Sequence, residues 1–555
     1  MGTPISYSDV IAHKVAGAPD VGGVGADLRA LLTRTWRDAA DYQRFVYKVA
    51  SVLVMTGMFH GLVWAVLGGS LTETVSWRKP TFFLASAGLS IGICAFVMSF
   101  LRITRRQGWQ LGMGLVIPAS TVGVLVSLQQ WRGTRSHFNF FESTFDTTVA
   151  GIIPFIISLL VPTVAVLGVL TFRALRPEVP RTLALTLRAG MVLMNVSFIM
   201  GLVTIVNGVT NGLLFTMQVP SVIGAGGTTK VAHGLPLHGI QIFLLVFGLL
   251  SYPAWNPRRR LTVLSMTVAG YAGVVGVFVF HSLSGRAPFE FNAATTVLLA
   301  VGIVLLLAGV GTAVTAAVRA IRRGARSQII PTYPWPPAAS DGSPEPIGVR
   351  GFFDLGFLKT AGVMLLFLGG FVGVSAGIGF RLPSSLVFTR TAWLDAPPEK
   401  VWALFTDHAN EPSWRRELIS MRTVGERNGR TLWQEKYWSH QKIDVDTVEQ
   451  SQRPGHPWRL VYQMSFHALP VLAGGVREIE VSAADGGTRV TVTEKKIIRV
   501  PPFRTWARLF VTPQLSTVTP DRYLVALGNR VGTAPKFESR DARTLTASHA
   551  GLPQH

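Results

Sequence analysis

Eight long apolar runs follow one another between short polar connections, at 46–68, 81–101, 109–130, 150–172, 187–207, 237–253, 261–281 and 293–318. A ninth, 360–380, comes after the Pro-rich interval "IIPTYPWPPAASDGSPEPIGVRG". Each run is long enough to cross about 30 Å of hydrocarbon as a helix, and 237–253 is the shortest. From about Leu382 the period changes from helical to alternating. "SSLVFTRTAWL", "RTLWQEKYW", "QKIDVDTVEQ", "WRLVYQMSF", "REIEVSAA" and "TRVTVTEKKII" read as strands, with "DGG" as a turn. "APPEKVWALFTD" reads as a helix with Pro in its first turn, and "FRTWARLF…DRYLVALGNRVG" as a closing helical region interrupted by Pro513 and Pro520. The organisation predicted is a segment 1–45, an eight-span membrane domain 46–320, a linker 321–358, a ninth span 359–381, a folded α+β domain 382–532 and a disordered tail 533–555.

Composition agrees with a polytopic α-helical membrane protein carrying soluble mass: 48% of residues are apolar and only 15% are charged. The formal charge of +22 would suggest nucleic acid in a soluble chain. Here many of the basic residues sit in short clusters between apolar runs, where Lys and Arg set topology, so no nucleic-acid partner is expected. Arg29, Arg34, Arg37 and Arg44, then Arg102, Arg105 and Arg106, then Arg173, Arg176 and Arg181, "NPRRR" at 256–260 and "RAIRRGAR" at 319–326 fall on one side. The alternate connections hold only Arg78, Lys79, Arg132, Arg135, Lys230 and Arg286. The expected location is therefore the plasma (inner) membrane with a cytoplasmic N-terminus, and nine spans would put the C-terminal domain on the outer face. The single cysteine, Cys94, excludes an intrachain disulfide, and the polar residues before the first run argue against a cleavable signal peptide.

The C-terminal segments "LDAPPEKVWALFTDHANEPSW" at 394–414, "GGTRVTVTEKKI" at 486–497 and "FRTWARLF" at 503–510 resemble the SRPBCC superfamily, the START-like or polyketide cyclase-like helix-grip fold. The resemblance implies a curved sheet closed by a C-terminal helix around a hydrophobic small molecule or lipid. Trp414, Trp433, Trp438, Trp458 and Trp506 are candidates to line that pocket, or equally to fill a core. His408, His440, Asp444 and Glu480 are scattered without a local acid–base motif, so no catalytic residue is assigned and binding is expected rather than catalysis.

The membrane block is similar to uncharacterised bacterial multi-span proteins with "SHFN" and "LHGIQ" segments, which implies no activity. Its histidines, His60, His137, His233, His238 and His281, all fall toward the side poor in Lys and Arg. Ionisable groups at membrane depth are functional candidates, and imidazole is a common ligand of haem and metals. His60 and His238, each beside small residues (Gly57 and Gly61; Gly234 and Gly239), are the candidate haem b ligands. His137, His233 and His281, with Arg78, Lys79, Arg132 and Arg135, are candidate metal, propionate or lipid-phosphate contacts. Plain helix packing explains the glycines, and interfacial hydrogen bonding the histidines, equally well. A membrane haem or metal protein therefore stands beside the lipid-handling reading. So does a secondary transporter with a gating loop at 211–227.

Overall fold

The computed structural model describes the chain except residues 1–23, 70–74, 140–141, 215–228, 285, 328–368, 371, 416, 438–440, 467–471, 511–517 and 539–555. Among the described residues, eight helical segments are long and apolar enough to span a membrane. They comprise α2 (Asp41–Leu67), α3 (Arg78–Met98), α4 (Arg105–Trp131), the consecutive α5 (Thr144–Ser158) and α6 (Leu160–Arg173), and α7 (Arg181–Leu214). The sixth joins α8 (Lys230–Leu237) to α9 (Gly239–Leu249), and α10 (Pro257–Leu283) and α11 (Ala293–Arg322) complete the set. A short helix, α1 (Val24–Arg37), precedes them. Large side chains such as Leu62, Val66, Leu245, Val304 and Leu307 stand exposed on the outside of the block, as hydrocarbon allows and water does not. The chain is a membrane protein.

The first eight predicted runs correspond to these eight segments, whereas 360–368 and 371 of the ninth, 360–380, lie outside the described residues, and 369–370 and 372–381 are helical. The linker beyond residue 327 and residues 215–227 of the proposed gating loop lie outside them too. The sixth span begins at Lys230, before the expected residue 237. It breaks at His238, two residues after Pro236, where the His238 N–H bonds Leu235 O at 3.1 Å, three residues back.

Small residues set the helix spacing. A Cβ on Gly57 would stand 2.7 Å from the Ala85 N, and one on Gly88 would stand 2.6 Å from Ala50 O, so α2 and α3 touch backbone to backbone. Gly57 thus serves helix packing. The α10–α11 pair is tighter still: a Cβ on Gly270 would lie 2.3 Å from Leu306 N, and one on Gly309 would lie 2.4 Å from Thr267 Oγ1. These antiparallel contacts define two ends of the block. At the proximal end, Leu101 and Leu175 form a bridge, and Ser327 N donates to Asp27 Oδ2 at 3.2 Å, tying the exit of α11 to α1. The distal end carries the connections after α2, α4, α7 and α10.

The C-terminal domain is one antiparallel sheet in the order β2-β3-β4-β5-β6-β7-β1-β8. Its strands are β1 (Ser385–Leu394), β2 (Leu418–Arg427), β3 (Arg430–Tyr437), β4 (Lys442–Ser451), β5 (Trp458–Phe466), β6 (Leu472–Ala484), β7 (Gly487–Ile498) and β8 (Lys536–Phe537). β2 was not anticipated, because "LISMRTVGER" alternates poorly and is mostly exposed after Met421. β8 pairs with β1 and Glu538 pairs with Arg489, so the fold continues past residue 532. The β6–β7 turn uses Asp485 and Gly486 at φ 47° and 76°, the backbone expected of a tight hairpin. Helices α12 (Pro398–Thr406), α13 (Glu411–Trp414), α14 (Pro501–Phe510) and α15 (Val518–Val531) complete the domain. Tyr523, Leu524 and Leu527 of α15 bury against Phe405, Trp414, Ile479 and Val492, closing the helix over the sheet.

One end of this sheet meets the distal end of the helix block. Leu386, Phe388, Leu472, Ile498 and Ala507 form a buried cluster with Ala150 of α5, and Phe138 of the α4–α5 connection packs against it. Helix α14 also touches α7. Thr505 Oγ1 donates to Ser375 O at 2.7 Å and Trp506 Nε1 to Ser375 Oγ at 2.9 Å, fastening α14 to the helical stretch 372–381.

The glycine seam gives a first expectation. A Gly270→Val variant should lose about 1–3 kcal/mol through overpacking against the α11 backbone. Gly276→Ala, where a Cβ meets nothing within 4 Å, should melt at or above the wild-type temperature. Thermal unfolding in detergent reads both, and equal melting of the Gly270 variant and wild type would refute the seam.

Candidate functional site

The interior of the C-terminal domain contains a ladder of charges. In β7 the inward phase runs Val490, Val492, Glu494, Lys496, Ile498, so two ionised side chains occupy positions that the pleat assigns to the core. Arg477 of β6 is the register partner of Glu494, and Glu435 and Tyr437 share one face of β3. Arg415 follows α13, four residues after Glu411, and is 1% exposed. Arg415 Nη1 donates to Glu411 Oε2 and to Glu435 Oε1, both at 2.6 Å, and its Nε donates to Glu417 at 2.9 Å. Arg477 donates from Nη1 to Glu435 Oε1 and from Nε to Glu494 Oε1, each at 2.9 Å. Lys496 Nζ stands 3.4 Å from Glu494 Oε2 and completes the line.

Three buried carboxylates, Glu411, Glu435 and Glu494, thus face three buried cations, Arg415, Arg477 and Lys496. Burial alone would raise the pKa of Glu435. The two guanidiniums beside it outweigh that and hold it far below the ordinary carboxylate range, with the Tyr437 hydroxyl donating to it at 2.6 Å. Glu494 is likewise held low against its burial by Lys496 and Arg477. Burial pulls Lys496 down from the usual lysine value, and Glu494 opposes that pull. Above the ladder, the Tyr523 ring of α15 stacks on Phe405 at 5.7 Å and lies over the Arg415 and Arg477 guanidiniums at 4.7 and 5.5 Å. Its hydroxyl is buried without a hydrogen-bond partner among the described residues. The grip therefore joins an apolar wall to a polar floor and leaves one hydroxyl to be satisfied.

This fold, with its family, is what the comparisons recover. Residues 385–517 match the family model described as polyketide cyclase / dehydrase and lipid transport. The C-terminal domain is a START-like domain of the SRPBCC superfamily. Similar solved structures include the aromatase/cyclase Zhui of Streptomyces sp. R1128, at 14% identity over 27% of this chain and 94% of that one, with a TM-score of 0.22. A START superfamily protein of Mycobacterium smegmatis matches at 13% identity over 26% of this chain and 97% of that one, TM-score 0.22. Truncated norcoclaurine synthase of Thalictrum flavum matches at 11% identity over 26% and 93% of the two chains, TM-score 0.22. No curated protein matches the sequence.

Of the candidate tryptophans, Trp414 belongs to the apolar core beneath α15, and Trp433 and Trp458 pack against that same core. Trp414 is buried edge-on to Tyr523 at 5.5 Å, Trp433 lies 5.4 Å from the His408 ring, and Trp458 meets Trp402 at 5.8 Å. Trp506 is apart from these, in the joint with the helix block. Trp438 and His440 lie outside the described residues. His408 is buried with Nδ1 3.1 Å from Glu411 Oε1, at the end of the ladder, whereas Asp444 accepts from Gln434 and Glu480 lies on the outward phase of β6. The sequence does not single out the ladder residues, because charged side chains ordinarily lie on the surface. The signal was present in "TEKKI", where Glu494 and Lys496 fall in step with Val490, Val492 and Ile498.

The membrane histidines share an end of the block but no centre. The His60 ring is committed on both sides: Nδ1 lies 2.8 Å from Thr56 O, and Nε2 accepts from Trp131 Nε1 at 3.2 Å. No ring nitrogen of His60 is left for an iron. His238 is exposed and pairs with Gln241 at 2.6 Å, and His233 is held by Ser197 O at 2.8 Å. His281 is fully buried against Pro288 O at 3.1 Å and beside Phe291, with Nε2 unpaired among the described residues. Among the described residues no three His, Cys, Asp or Glu side chains converge as metal ligands. Arg132 is engaged by Asp146 at 2.7 Å and by Gln129.

The ladder predicts its own titration. A carboxylate depressed in the folded state contributes stability that is present above its unfolded pKa of about 4.3 and lost as pH falls through the folded value. The START-like domain should therefore lose stability steadily below that pH. Glu435→Gln, which leaves two buried guanidiniums short of an anion, should cost about 3–5 kcal/mol at neutral pH and flatten the acid slope. Denaturant unfolding followed by tryptophan fluorescence between pH 7 and pH 3 decides it; a variant with the wild-type slope would show that the ladder is not ionised as drawn.

Proposed function

We propose that the protein holds a START-like domain against one face of a membrane, where the domain takes up a hydrophobic small molecule or lipid from the bilayer. The observation that carries this reading is the apolar joint. The strand ends bearing Leu386, Phe388, Leu472 and Ile498 are seated on Ala150, with Phe138, Phe466 and Phe503 packed around them. Aromatic side chains at the mouth of a helix block supply a path of low polarity between hydrocarbon and the domain. The unpaired Tyr523 hydroxyl under the grip helix supports a ligand with at least one polar atom.

The same joint supports the side. The chain leaves α11 at the proximal end, where Ser327 bonds Asp27, and enters β1 at the distal end beside Ala150. A ninth crossing within 359–381 reconciles the two. With the Arg-rich proximal end cytoplasmic, the domain lies on the outer face of the plasma membrane.

The test is photo-crosslinking with the full chain in phosphatidylcholine nanodiscs containing a diazirine-bearing fatty acid. Adducts located by peptide mass spectrometry are expected on β1, β7 and α15 as well as on the helices. Labelling confined to the helix block would overturn the reading.

A further inference from the structure

Helix α1 leaves a row of large apolar side chains uncovered among the described residues. Val24, Leu28, Leu32 and Trp36 recur every fourth position along it, and each is 47% to 61% exposed. Side chains at that spacing stand one above another and make a single stripe. Arg29, Thr33 and Arg37 form a second exposed row beside it, and this one is polar. A third face looks inward, with Asp27 buried and Leu31 and Arg34 half-buried. The helix thus separates three surroundings: protein on one side, an apolar sector on the next and a polar sector on the last.

Its position at the proximal end is fixed by contacts at both of its ends. Asp27 Oδ2 accepts from Ser327 N at 3.2 Å, just past the exit of α11. At the other end the Arg44 guanidinium donates to Arg37 O at 2.9 Å and to Trp36 O at 3.3 Å, satisfying carbonyls that the last turn leaves open. Only Asp38–Ala40 separate α1 from α2, the first span, and Ala39 and Ala40 are buried. Gln43 locks this corner: its Oε1 accepts from Ala40 N and its Nε2 donates to Ala95 O, both at 2.9 Å. Asp41 pairs with Arg105 Nη2 at 2.9 Å, beside the start of α4. Helix α1 therefore runs across the proximal end, from the exit of α11 to the start of α2, and its last turn sits where the first span begins.

A helix of 14 residues is too short to persist in water on propensity alone, and a water-facing row of Leu and Trp adds nothing to it. Hydrocarbon at the same level does. Helices that lie in the membrane interface have this make-up, with Leu and Trp at the acyl boundary and Arg on the polar side. Charge agrees, because α1 carries three arginines against the single Asp27, which is already engaged. The headgroups that such a helix suits are anionic.

We propose that α1 lies in the plane of the proximal membrane face. Its Val24–Leu28–Leu32–Trp36 stripe enters the acyl boundary, and Arg29 and Arg37 rest on the phosphates of anionic lipids. Through Asp27 the helix then holds the point at which the chain leaves α11 for its C-terminal half. The site is at the opposite end of the block from the START-like domain and does not depend on what that domain binds.

The experiment places a nitroxide singly at Leu28→Cys, Leu32→Cys and Thr33→Cys in the full chain, in nanodiscs of phosphatidylcholine and phosphatidylglycerol. Cys94 is buried and stays in place, and wild type taken through the same labelling is the control. All three positions are exposed, so each labelled protein should melt with wild type. Power saturation then compares collisions with oxygen, which concentrates in hydrocarbon, and with a water-soluble nickel chelate. Oxygen should exceed nickel severalfold at residues 28 and 32, with the order reversed at residue 33. Exchanging phosphatidylglycerol for phosphatidylcholine should lower the oxygen-to-nickel ratio at residue 32 by about twofold. Arg29→Gln/Arg37→Gln should abolish that dependence on lipid charge. Nickel exceeding oxygen at all three positions would put the stripe in water and overturn the proposal. Few collisions with either reagent at residues 28 and 32 would overturn it too, by revealing a protein cover, and dipolar broadening between labels would identify that cover as a second copy. A wild-type ratio indifferent to lipid charge would overturn the assignment of Arg29 and Arg37 to anionic headgroups.

Discussion

The joint between sheet and helix block governs how the rest of the molecule is arranged. Ala150, on a membrane helix, shares a buried cluster with Leu386, Phe388, Leu472, Ile498 and Ala507, drawn from three strands and a helix of the other half of the chain. Apolar surface that would otherwise face water is removed at about 25 cal/mol per Å², a driving force that is non-directional and tolerant of small shifts. Direction comes from hydrogen bonds at its margin, above all Thr505 and Trp506 on Ser375. Where the START-like domain stands relative to the helix block follows from this contact.

Behind the joint, the domain keeps its shape by ionic rather than purely apolar means. Isolated buried charges are costly, and a buried ion pair is often no more stabilising than hydrocarbon of the same volume. What the ladder provides is specification. Arg477 reaches Glu435 and Glu494 from its own strand, so β3, β6 and β7 are held in one relation across the sheet floor. A one-residue slip of β7 would turn Glu494 and Lys496 outward and leave Arg477 buried without its Glu494 partner, so the ladder penalises wrong registers heavily.

The span order was legible because a membrane helix needs only length and hydrocarbon, and the strands of the domain because alternation is a local pattern. β2 was missed for want of that alternation, and the sixth span began early because Lys230 and His233 interrupt its hydropathy without interrupting its helix. The site was less legible. Counting histidines picks out residues on one end of the block, but they bond separate neighbours rather than one another, as with His60 between Thr56 and Trp131.

The backbone-to-backbone seam of α10 and α11 has a mechanical consequence. With Gly270 against Leu306 and Gly309 against Thr267, sliding either helix by one residue would drive a methyl-bearing position into space that only glycine fits. The last two described spans therefore behave as a single stiff strut. Beside them the sixth span is jointed at Pro236–His238, where one Leu235 carbonyl takes both the His238 N–H and the Tyr271 hydroxyl. Any bending of the sixth span falls at that joint, with the strut as its fixed support.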